Sequence, residues 1–332
     1  FEDLEDDFYD YDDDADYYAK RWEKLEVELG GGHGGAGATH VPLVDEDWKF
    51  MVTWTRDRLG ATAAHQRANG SGITVAVLDG GFDLSHPTIA GHVWPFGYDA
   101  IEEDFDPEDF GNGLDDDGDG FTDNGLGHGT FVAGMVTLAA PGAMILPIRV
   151  RDDEGWSSSL EIVRGLEFAW AAGADVVNIS GAAAEHDFKH VREIIERMRA
   201  DGILVVVSTG NDGLDVLPRM AELPGTLAVA SSDENDRLTG WSNFQVSVPV
   251  LLAPGADLYG PLWGTDSGYW SGTSFSAGLV SGAAALVLDR WPWLAPSDVS
   301  ARLFSAADPA FDSDGAALGS SGRLNLLQAV AN

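Results

Sequence analysis

Three polar residues occupy settings in which side chains of their types can do chemistry. Asp79 ends the apolar run VAVLD and is followed by two glycines, and His128 lies between Gly127 and Gly129, where a helix is predicted to begin. Ser274 lies in SGTSFSAG, at the start of a predicted helix of small residues. Each residue alone has an ordinary structural interpretation, as a turn cap, a loop residue or a helix N-cap. Together they supply a carboxylate, an imidazole and a hydroxyl, the components of a nucleophilic triad.

Triad chemistry requires all three groups. A serine hydroxyl is a poor nucleophile until a base removes its proton, and a neutral imidazole can do so near neutral pH. A carboxylate fixes the tautomer of the imidazole and stabilises the imidazolium. Asn211, in VVVSTGND, is a candidate donor to the developing oxyanion, together with the backbone N–H of Ser274. The alternative for Asn211 is a turn residue that tolerates left-handed geometry.

Apolar segments that alternate with helical segments must position these residues. The strand candidates ITVAVLDG (73–80), AMILPIRV, DVVNIS, ILVVVSTGN and TLAVASS are almost continuously apolar, and helical segments such as SLEIVRGLEFAWAAG lie between several of them. This pattern predicts an α/β fold in which a mainly parallel sheet is covered by helices on both faces. Ligands of such folds bind at the carboxyl ends of the strands, where we expect Asp79, Ser180 and Asn211.

The sequence resembles the subtilisin-like serine proteases. The resemblance rests on the order Asp, His, Ser and on the segments VAVLDGGFDLSHP, GHGTFVAGMV and SGTSFSAGLVSGAAAL, and STGND resembles the segment that carries the oxyanion-hole asparagine. It runs from about Trp48 to the C-terminus and implies a three-layer subtilisin-like fold with serine endopeptidase activity. The resemblance makes Ser274 the nucleophile and His128 the general base and then acid. It makes Asp79 the orienting carboxylate and Asn211 the side-chain donor of the oxyanion hole.

The resemblance also implies where a peptide substrate binds. The substrate would lie extended, as an added strand, between two backbone segments that follow the strands AMILPIRV and DVVNIS. The residues assigned to substrate binding on this basis are Gly155, Trp156, Ser157, Ser180, Gly181 and Gly210. No cleavage preference follows from the sequence.

Four features depart from the family pattern. Gly80 follows the first aspartate, where threonine or serine is usual, and Phe131 stands where the family has a histidine. Gly278 stands in place of a proline, and Gly-Ala-Ala follows NIS in place of Leu-Gly-Gly. None of these changes removes a catalytic group, so activity is still expected.

The acidic run NGLDDDGDGFTDN, just before the histidine, predicts a calcium loop. Aligned with an EF-hand, it matches at the first, third, fifth, seventh and ninth positions, but the twelfth, usually Glu, is Leu126. Upstream acids complete the predicted oxygen shell, and a calcium-bearing insertion before the histidine also resembles one found in many subtilisin-like enzymes. The alternative is a solvated acidic loop without a cation. The predicted ligands are Asp104, Asp106, Asp115, Asp117, Asp119, Phe121 and Asp123.

Composition limits the classes of partner. The chain has 19 basic and 55 acidic residues, a formal net charge of -36, which argues against nucleic acid or anionic lipid as a partner. No apolar run is long enough to cross a membrane, and the absence of cysteine excludes disulfides and a cysteine nucleophile. The resemblance to the subtilisin-like serine proteases implies a protein or peptide substrate as the partner.

The domain organisation is predicted to be a tail followed by one large domain. Residues 1–44 are predicted to be an acidic tail with a Gly-rich linker, and 45–332 a subtilisin-like peptidase domain. The family resemblance and the acidic composition suggest a secreted or extracytoplasmic protein with structural Ca²⁺. Two alternatives remain open: a non-catalytic calcium-dependent binding protein on a protease scaffold, and a processing protease of narrow specificity whose acidic tail docks or inhibits.

Overall fold

A computed structural model of the chain describes residues 39–40, 54–94, 96–116, 118, 120–181, 188–264 and 267–332. The predicted tail and linker of residues 1–44 lie outside the described residues except for 39–40, and so does the predicted domain boundary at residue 45. Both therefore stay predictions. Within the described residues, no helix is long and apolar enough to cross a membrane.

The strands form two sheets. In chain order they are β1 (Thr39–His40), β2 (Thr74–Asp79), β3 (Tyr98–Asp99), β4 (Met144–Arg149), β5 (Val176–Ile179), β6 (Leu204–Ser208), β7 (Thr226–Ser232), β8 (Leu251–Pro254), β9 (Leu258–Pro261), β10 (Ser267–Trp270), β11 (Asp308–Phe311) and β12 (Ala317–Arg323). Within the described residues, the large sheet has nine strands in the order β11-β12-β8-β7-β6-β5-β2-β4-β3, and a small antiparallel sheet has the order β1-β10-β9. All pairings in the large sheet are parallel except that of β11 with β12.

The helices cover both faces of the large sheet. They are α1 (Ala61–Ala64), α2 (His128–Ala139), α3 (Ser159–Ala171), α4 (Phe188–Ala200), α5 (Thr273–Arg290), α6 (Pro296–Ala306) and α7 (Leu326–Ala329). Alternate residues of β2 point to opposite faces, as the pleat requires. Val75 and Val77 pack in a core with α2 and α5, whereas Ala76 and Leu78 pack in a second core with α3 and α4. The prediction of a three-layer α/β fold with a mainly parallel sheet is therefore confirmed.

Close packing of α2 and α5 brings two predicted site residues to one place, because α2 begins with His128 and α5 carries Ser274 in its first turn. A Cβ added at Gly278 would lie 3.0 Å from the carbonyl oxygen of Val132, and one added at Gly282 would lie 2.6 Å from the Cβ of Ala139. Small residues on α5 thus let the two helices approach more closely than larger side chains would permit.

The sheet register aligns the ends of the central strands. Asp79 pairs with Arg149 across the parallel β2–β4 ladder, and Leu78 pairs with Ile179 on β5. Ser180 follows Ile179 directly, so it lies at the same edge as Asp79. Parallel pairing therefore collects residues that are about 100 positions apart in the chain at the carboxyl edge of the sheet.

Candidate active site

The site is centred on a buried contact between a carboxylate and an imidazole. His128 Nδ1 lies 2.5 Å from Asp79 Oδ1, and Asp79 is completely buried. The same oxygen accepts a hydrogen bond of 2.7 Å from the backbone N–H of Gly80. Because an ionised carboxylate can only accept, Nδ1 carries the hydrogen and the lone pair of the neutral ring is on Nε2. The imidazole is thus held in the tautomer that can act as a base.

Glycines on either side of His128 permit close approach of other backbone segments. Gly127 has a left-handed conformation (φ 84°), and a Cβ added there would lie 2.9 Å from the backbone nitrogen of Trp263. A Cβ added at Gly129 would lie 2.6 Å from the carbonyl oxygen of Gly81. The Gly-His-Gly triplet is therefore required by packing, and it places the imidazole at the first position of α2.

An aromatic cluster surrounds the imidazole. The His128 ring centroid lies 5.4 Å from that of Trp270, edge to face, and 5.2 Å from that of Phe275. Phe131, which stands where the family has a histidine, packs at 4.3 Å against Phe275 and completes the cluster. Because Phe275 directly follows Ser274, these contacts bring the imidazole and the serine into one neighbourhood. The substitution at position 131 extends this support and leaves the Asp79–His128 contact intact.

A buried polar chain supports the backbone of the candidate nucleophile. The Ser180 hydroxyl donates to the carbonyl oxygen of Ser274 (3.1 Å) and accepts from Asn178 Nδ2 (2.7 Å). The Ser281 hydroxyl in turn donates to Asn178 Oδ1 at 3.0 Å. These hydrogen bonds join β5 to two turns of α5. Sequence reasoning placed Ser180 in a substrate segment but did not identify Asn178 or Ser281, which are 103 residues apart in the chain.

Asn211 follows β6, and its amide has a defined orientation. Asn211 Oδ1 accepts hydrogen bonds from the backbone N–H of Thr273 (2.9 Å) and from its hydroxyl (3.0 Å). The backbone N–H of Gly210 also donates to that hydroxyl, at 3.2 Å. Because the oxygen of the amide is held by the residue before Ser274, Nδ2 is the side of the amide that can donate to a ligand; it lies 3.8 Å from a Cβ added at Gly272, two residues before Ser274. Sequence reasoning did not identify Thr273.

We expect Asn211→Leu to lower kcat about 10²- to 10³-fold with little change in KM, because an oxyanion-hole donor acts mainly in the transition state. Steady-state kinetics on one peptide substrate measures both constants. Thr273→Val is a milder variant for comparison. It removes the hydroxyl that binds Asn211 Oδ1 but keeps the backbone N–H, so kcat should fall by a smaller factor. A rise in KM at unchanged kcat would assign Asn211 to ground-state binding instead.

The predicted substrate segments lie near the candidate triad. Gly155 has φ 83°, and a Cβ added at Gly125, just before the histidine turn, would lie 2.8 Å from its backbone nitrogen. The N–H of Trp156 donates to Asp152 Oδ1 at 2.8 Å, and Ser157 is buried just before α3 begins. Across the edge of the sheet, Ser180 and Gly181 follow β5 and Gly210 follows β6. Their role in substrate binding stays a prediction.

The acidic run is held by hydrogen bonds within the loop. The carboxylate of Asp115 accepts from the N–H groups of Gly118 (2.7 Å) and Gly120 (3.1 Å), and Asp123 accepts from those of Asn112 and Gly113. Two predicted ligands, Asp117 and Asp119, lie outside the described residues. Among the described residues, no group of three or more acidic or histidine side chains is arranged to hold a metal ion.

The remaining predicted ligands have separate local roles. Asp104 Oδ1 accepts from the N–H of Asp106 at 2.9 Å, and the Phe121 side chain is exposed. Buried Glu154 accepts from the N–H groups of Asp116 and Asp123 and thereby ties the acidic loop to the segment 152–157. The described residues do not by themselves make a calcium shell, so the calcium site stays a prediction that depends on Asp117 and Asp119.

A second carboxylate is buried beside the candidate triad. Asp109 is 3% exposed, and its Oδ2 accepts from the N–H of Gly127 at 2.6 Å. Burial raises the pKa of Asp109 to about 6, and the negative charge of Asp79 acts in the same direction; the Gly127 hydrogen bond and Arg149 partly oppose this shift. Sequence reasoning did not single out Asp109, because nothing in DPEDFG distinguishes it from neighbouring exposed acids.

We expect Asp109→Asn to raise the free energy of unfolding at pH 8 and to change it little near pH 4. The folded-state pKa is raised above the ordinary value of 3.8, so stability that is present below the unfolded pKa is lost as the pH rises through about 6. The difference between the two proteins at pH 8 should approach about 3 kcal/mol. Urea unfolding at both pH values measures it, and an equal difference at the two pH values would contradict the assignment.

Comparisons with known proteins identify a family and its structures. A family model described as the subtilase family matches residues 70–325. A thermophilic serine proteinase from Bacillus sp. (strain AK1) is 32% identical over 230 residues, which cover 66% of this chain and 53% of the relative. Subtilisin E from Bacillus subtilis (strain 168) is 28% identical over 291 residues, which cover 80% of this chain and 70% of the relative. The match to the first relative thus spans about half of its length.

Two solved structures share the fold over most of the chain. The prenylagaramide maturation protease PagA has a TM-score of 0.67 at 28% identity, covering 82% of this chain and 97% of its own. A protease from Pseudoalteromonas arctica has a TM-score of 0.70 at 26% identity, covering 82% and 93%.

Proposed function

The chain belongs to the subtilase family, and on that premise we propose that it is a serine endopeptidase in which Asp79, His128 and Ser274 form the triad. The observation that carries the proposal is the 2.5 Å contact between His128 Nδ1 and the buried Asp79. The contact fixes the tautomer and the orientation of an imidazole whose ring packs against the residue following Ser274. The activity of the family's named relatives, which are serine proteinases and subtilisins, supports the same reaction class.

The reaction begins with general-base catalysis. His128 Nε2 takes the proton of the Ser274 hydroxyl as Oγ forms a bond to the carbonyl carbon of the scissile peptide. The carbonyl oxygen becomes an oxyanion that accepts hydrogen bonds from Asn211 Nδ2 and the backbone N–H of Ser274. Asp79 keeps its negative charge and stabilises the imidazolium.

Cleavage then proceeds in two stages. The imidazolium gives its proton to the leaving amine as the C–N bond breaks, which leaves an acyl ester on Ser274. A water molecule, deprotonated by His128, attacks that ester, and Ser274 recovers its proton when the acid product leaves. The substrate would bind extended between Gly155–Ser157 and Ser180–Gly181, and it would pair with those backbone groups of the two segments that are not already bonded to Asp152.

Labelling with a serine-directed fluorophosphonate tests the proposal. The protein should be labelled in a time-dependent reaction and Ser274→Ala should not. Ser276→Ala is the matched control, because that hydroxyl is completely buried and donates to Ala253 and Pro254 carbonyls; it should still be labelled. Absence of labelling in the unmodified protein would favour a non-catalytic binding protein on a protease scaffold. Cleavage of only one sequence in a peptide library would instead favour a processing protease.

We also propose that Ca²⁺ stabilises the acidic loop, with Asp115 and Asp123 as ligands alongside Asp117 and Asp119. Close carboxylates repel one another unless a cation is present. Bound Ca²⁺ would fix the segment that leads to His128. A secreted or extracytoplasmic location belongs to the same proposal, since millimolar Ca²⁺ favours a loop of this type.

Calcium at a hundredfold excess over its dissociation constant should raise the free energy of unfolding by about 2.7 kcal/mol, because a ligand that binds only the folded state stabilises it by mass action. Thermal unfolding with calcium, with a chelator and with magnesium measures the effect, and Asp115→Asn should reduce it. The same thermal midpoint under all three conditions would show that the loop is only a solvated acidic segment.

A further inference from the structure

An arginine lies against the edge of the sheet that is assigned to the substrate. Arg151 follows the end of β4 by two residues. A Cβ added at Gly181 would lie 0.7 Å from Arg151 Nη2 and 1.9 Å from its Cζ. The guanidinium therefore occupies the space that a side chain at position 181 would fill. Gly181 in turn follows Ser180, whose hydroxyl binds the carbonyl of Ser274.

The charge of Arg151 has no close partner among the described residues. Its guanidinium forms no hydrogen bond or ion pair with the described residues, and Asp79 and Asp152 interact with it only at longer range. Both carboxylates are engaged elsewhere: Asp79 with His128, and Asp152 with the N–H groups of Glu154 and Trp156. Burial lowers the pKa of the guanidinium, but the group stays a cation.

The guanidinium of the partly buried Arg151 is suited to a carboxylate ligand. The planar fork of five N–H donors can bind both oxygens of one carboxylate, and such charge-assisted hydrogen bonds are about twice as strong as neutral ones. Gly181 lies at the sheet edge assigned to an extended peptide, so a bound peptide would pass close to the guanidinium that lies against this glycine. A peptide side chain at this place would meet a cation in a chain whose formal net charge is -36.

We propose that Arg151 is a specificity-determining residue that binds an Asp or Glu side chain of the peptide substrate, at one fixed position relative to the scissile bond. The inference rests on the proposed endopeptidase function and adds the substrate class to it. The acidic segment FEDLEDDFYDYDDDADYY of the same chain offers the same chemistry. It is a second source of carboxylates that the test must separate from substrate.

The test compares peptides that differ only in having Asp or Glu, or Asn or Gln, at each position around one cleavage site. The full chain should show a 10- to 100-fold higher kcat/KM for the acidic member at one position, as expected for a charged hydrogen bond of about 1.5–3 kcal/mol. Arg151→Leu should abolish this ratio, Arg151→Lys should restore part of it, and Arg151→Glu should favour Lys or Arg there. Arg192→Leu removes an exposed charge on α4 and should leave the ratio unchanged.

Several outcomes would overturn the inference. The ratio could be near one at every position, or unchanged in Arg151→Leu. If Arg151→Leu instead raises kcat/KM equally for acidic and neutral peptides, the guanidinium holds the chain's own acidic segment and not the substrate. Fluorophosphonate labelling separates these outcomes from failure of the proposed function. A protein that is labelled and cleaves without preference refutes only the role of Arg151, whereas one that is neither labelled nor active refutes the endopeptidase.

Discussion

Replacing His128 with alanine should lower kcat about 10⁶-fold, the loss expected when the base of a serine protease triad is removed. Without the imidazole, no group is placed to take the proton of Ser274 or to return it to the leaving amine. The oxyanion donors remain, so about 10³- to 10⁴-fold acceleration over the uncatalysed reaction should persist. Single-turnover and steady-state assays on one peptide measure this loss.

The control for this prediction is His92→Ala. His92 lies near the start of β4, since its carbonyl accepts from the N–H of Ile145, and so at the amino edge of the sheet, away from the site. Its kcat should equal that of the unmodified protein. Circular dichroism and thermal unfolding should show that His128→Ala is folded. If folded His128→Ala kept more than a hundredth of kcat, His128 would not be the base.

Asp79→Asn should lower kcat about 10⁴-fold while KM changes little. An asparagine amide would donate its N–H to Nδ1, which puts the hydrogen on Nε2 and removes the lone pair that receives the serine proton. The position tolerates a neutral side chain, because Asp79 is fully buried and its Oδ2 has no partner among the described residues. The loss should therefore be catalytic and not a loss of folding.

Asp83→Asn provides the comparison for Asp79→Asn, since the Asp83 carboxylate caps a local turn through Ser85. We expect it to retain full kcat. Fluorophosphonate labelling gives an independent measurement. The labelling rate of the Asp79 variant should fall by about the same factor as its kcat. Labelling at the original rate would mean that Asp79 has no part in activating Ser274.

The candidate catalytic residues and the layered fold could be proposed from the sequence because they rest on local patterns. The apolar strand that ends at Asp79 and the Gly-His-Gly triplet before an apolar helix are legible without any structure. So are the small residues after Ser274 that let α5 pack closely on α2. The spacing of apolar residues and the local composition identify such strands and helices. Parallel pairing then determines which strand ends lie side by side.

For the predicted calcium loop, the sequence indicates the candidate ligands but not their arrangement in space. Alternating acids predict a cation site, but the hydrogen bonds of Asp115 and Asp123 to backbone amides are equally compatible with a loop that folds on itself. Ligation requires several oxygens to converge on one point, and a one-dimensional pattern specifies their order without their positions.

By itself, the sequence indicated the central strands and helices, the family and the candidate acid, base and nucleophile, because each depends on neighbours along the chain. The tertiary structure decided the rest. Thr273, 62 residues away, orients the amide of Asn211 by donating to its oxygen. Asp109 is buried where it accepts from the N–H of Gly127, and this burial raises its pKa. The tertiary structure also placed Arg151 in the space left by Gly181. Orientation, desolvation and close approach arise only when distant segments meet, so no local pattern encodes them.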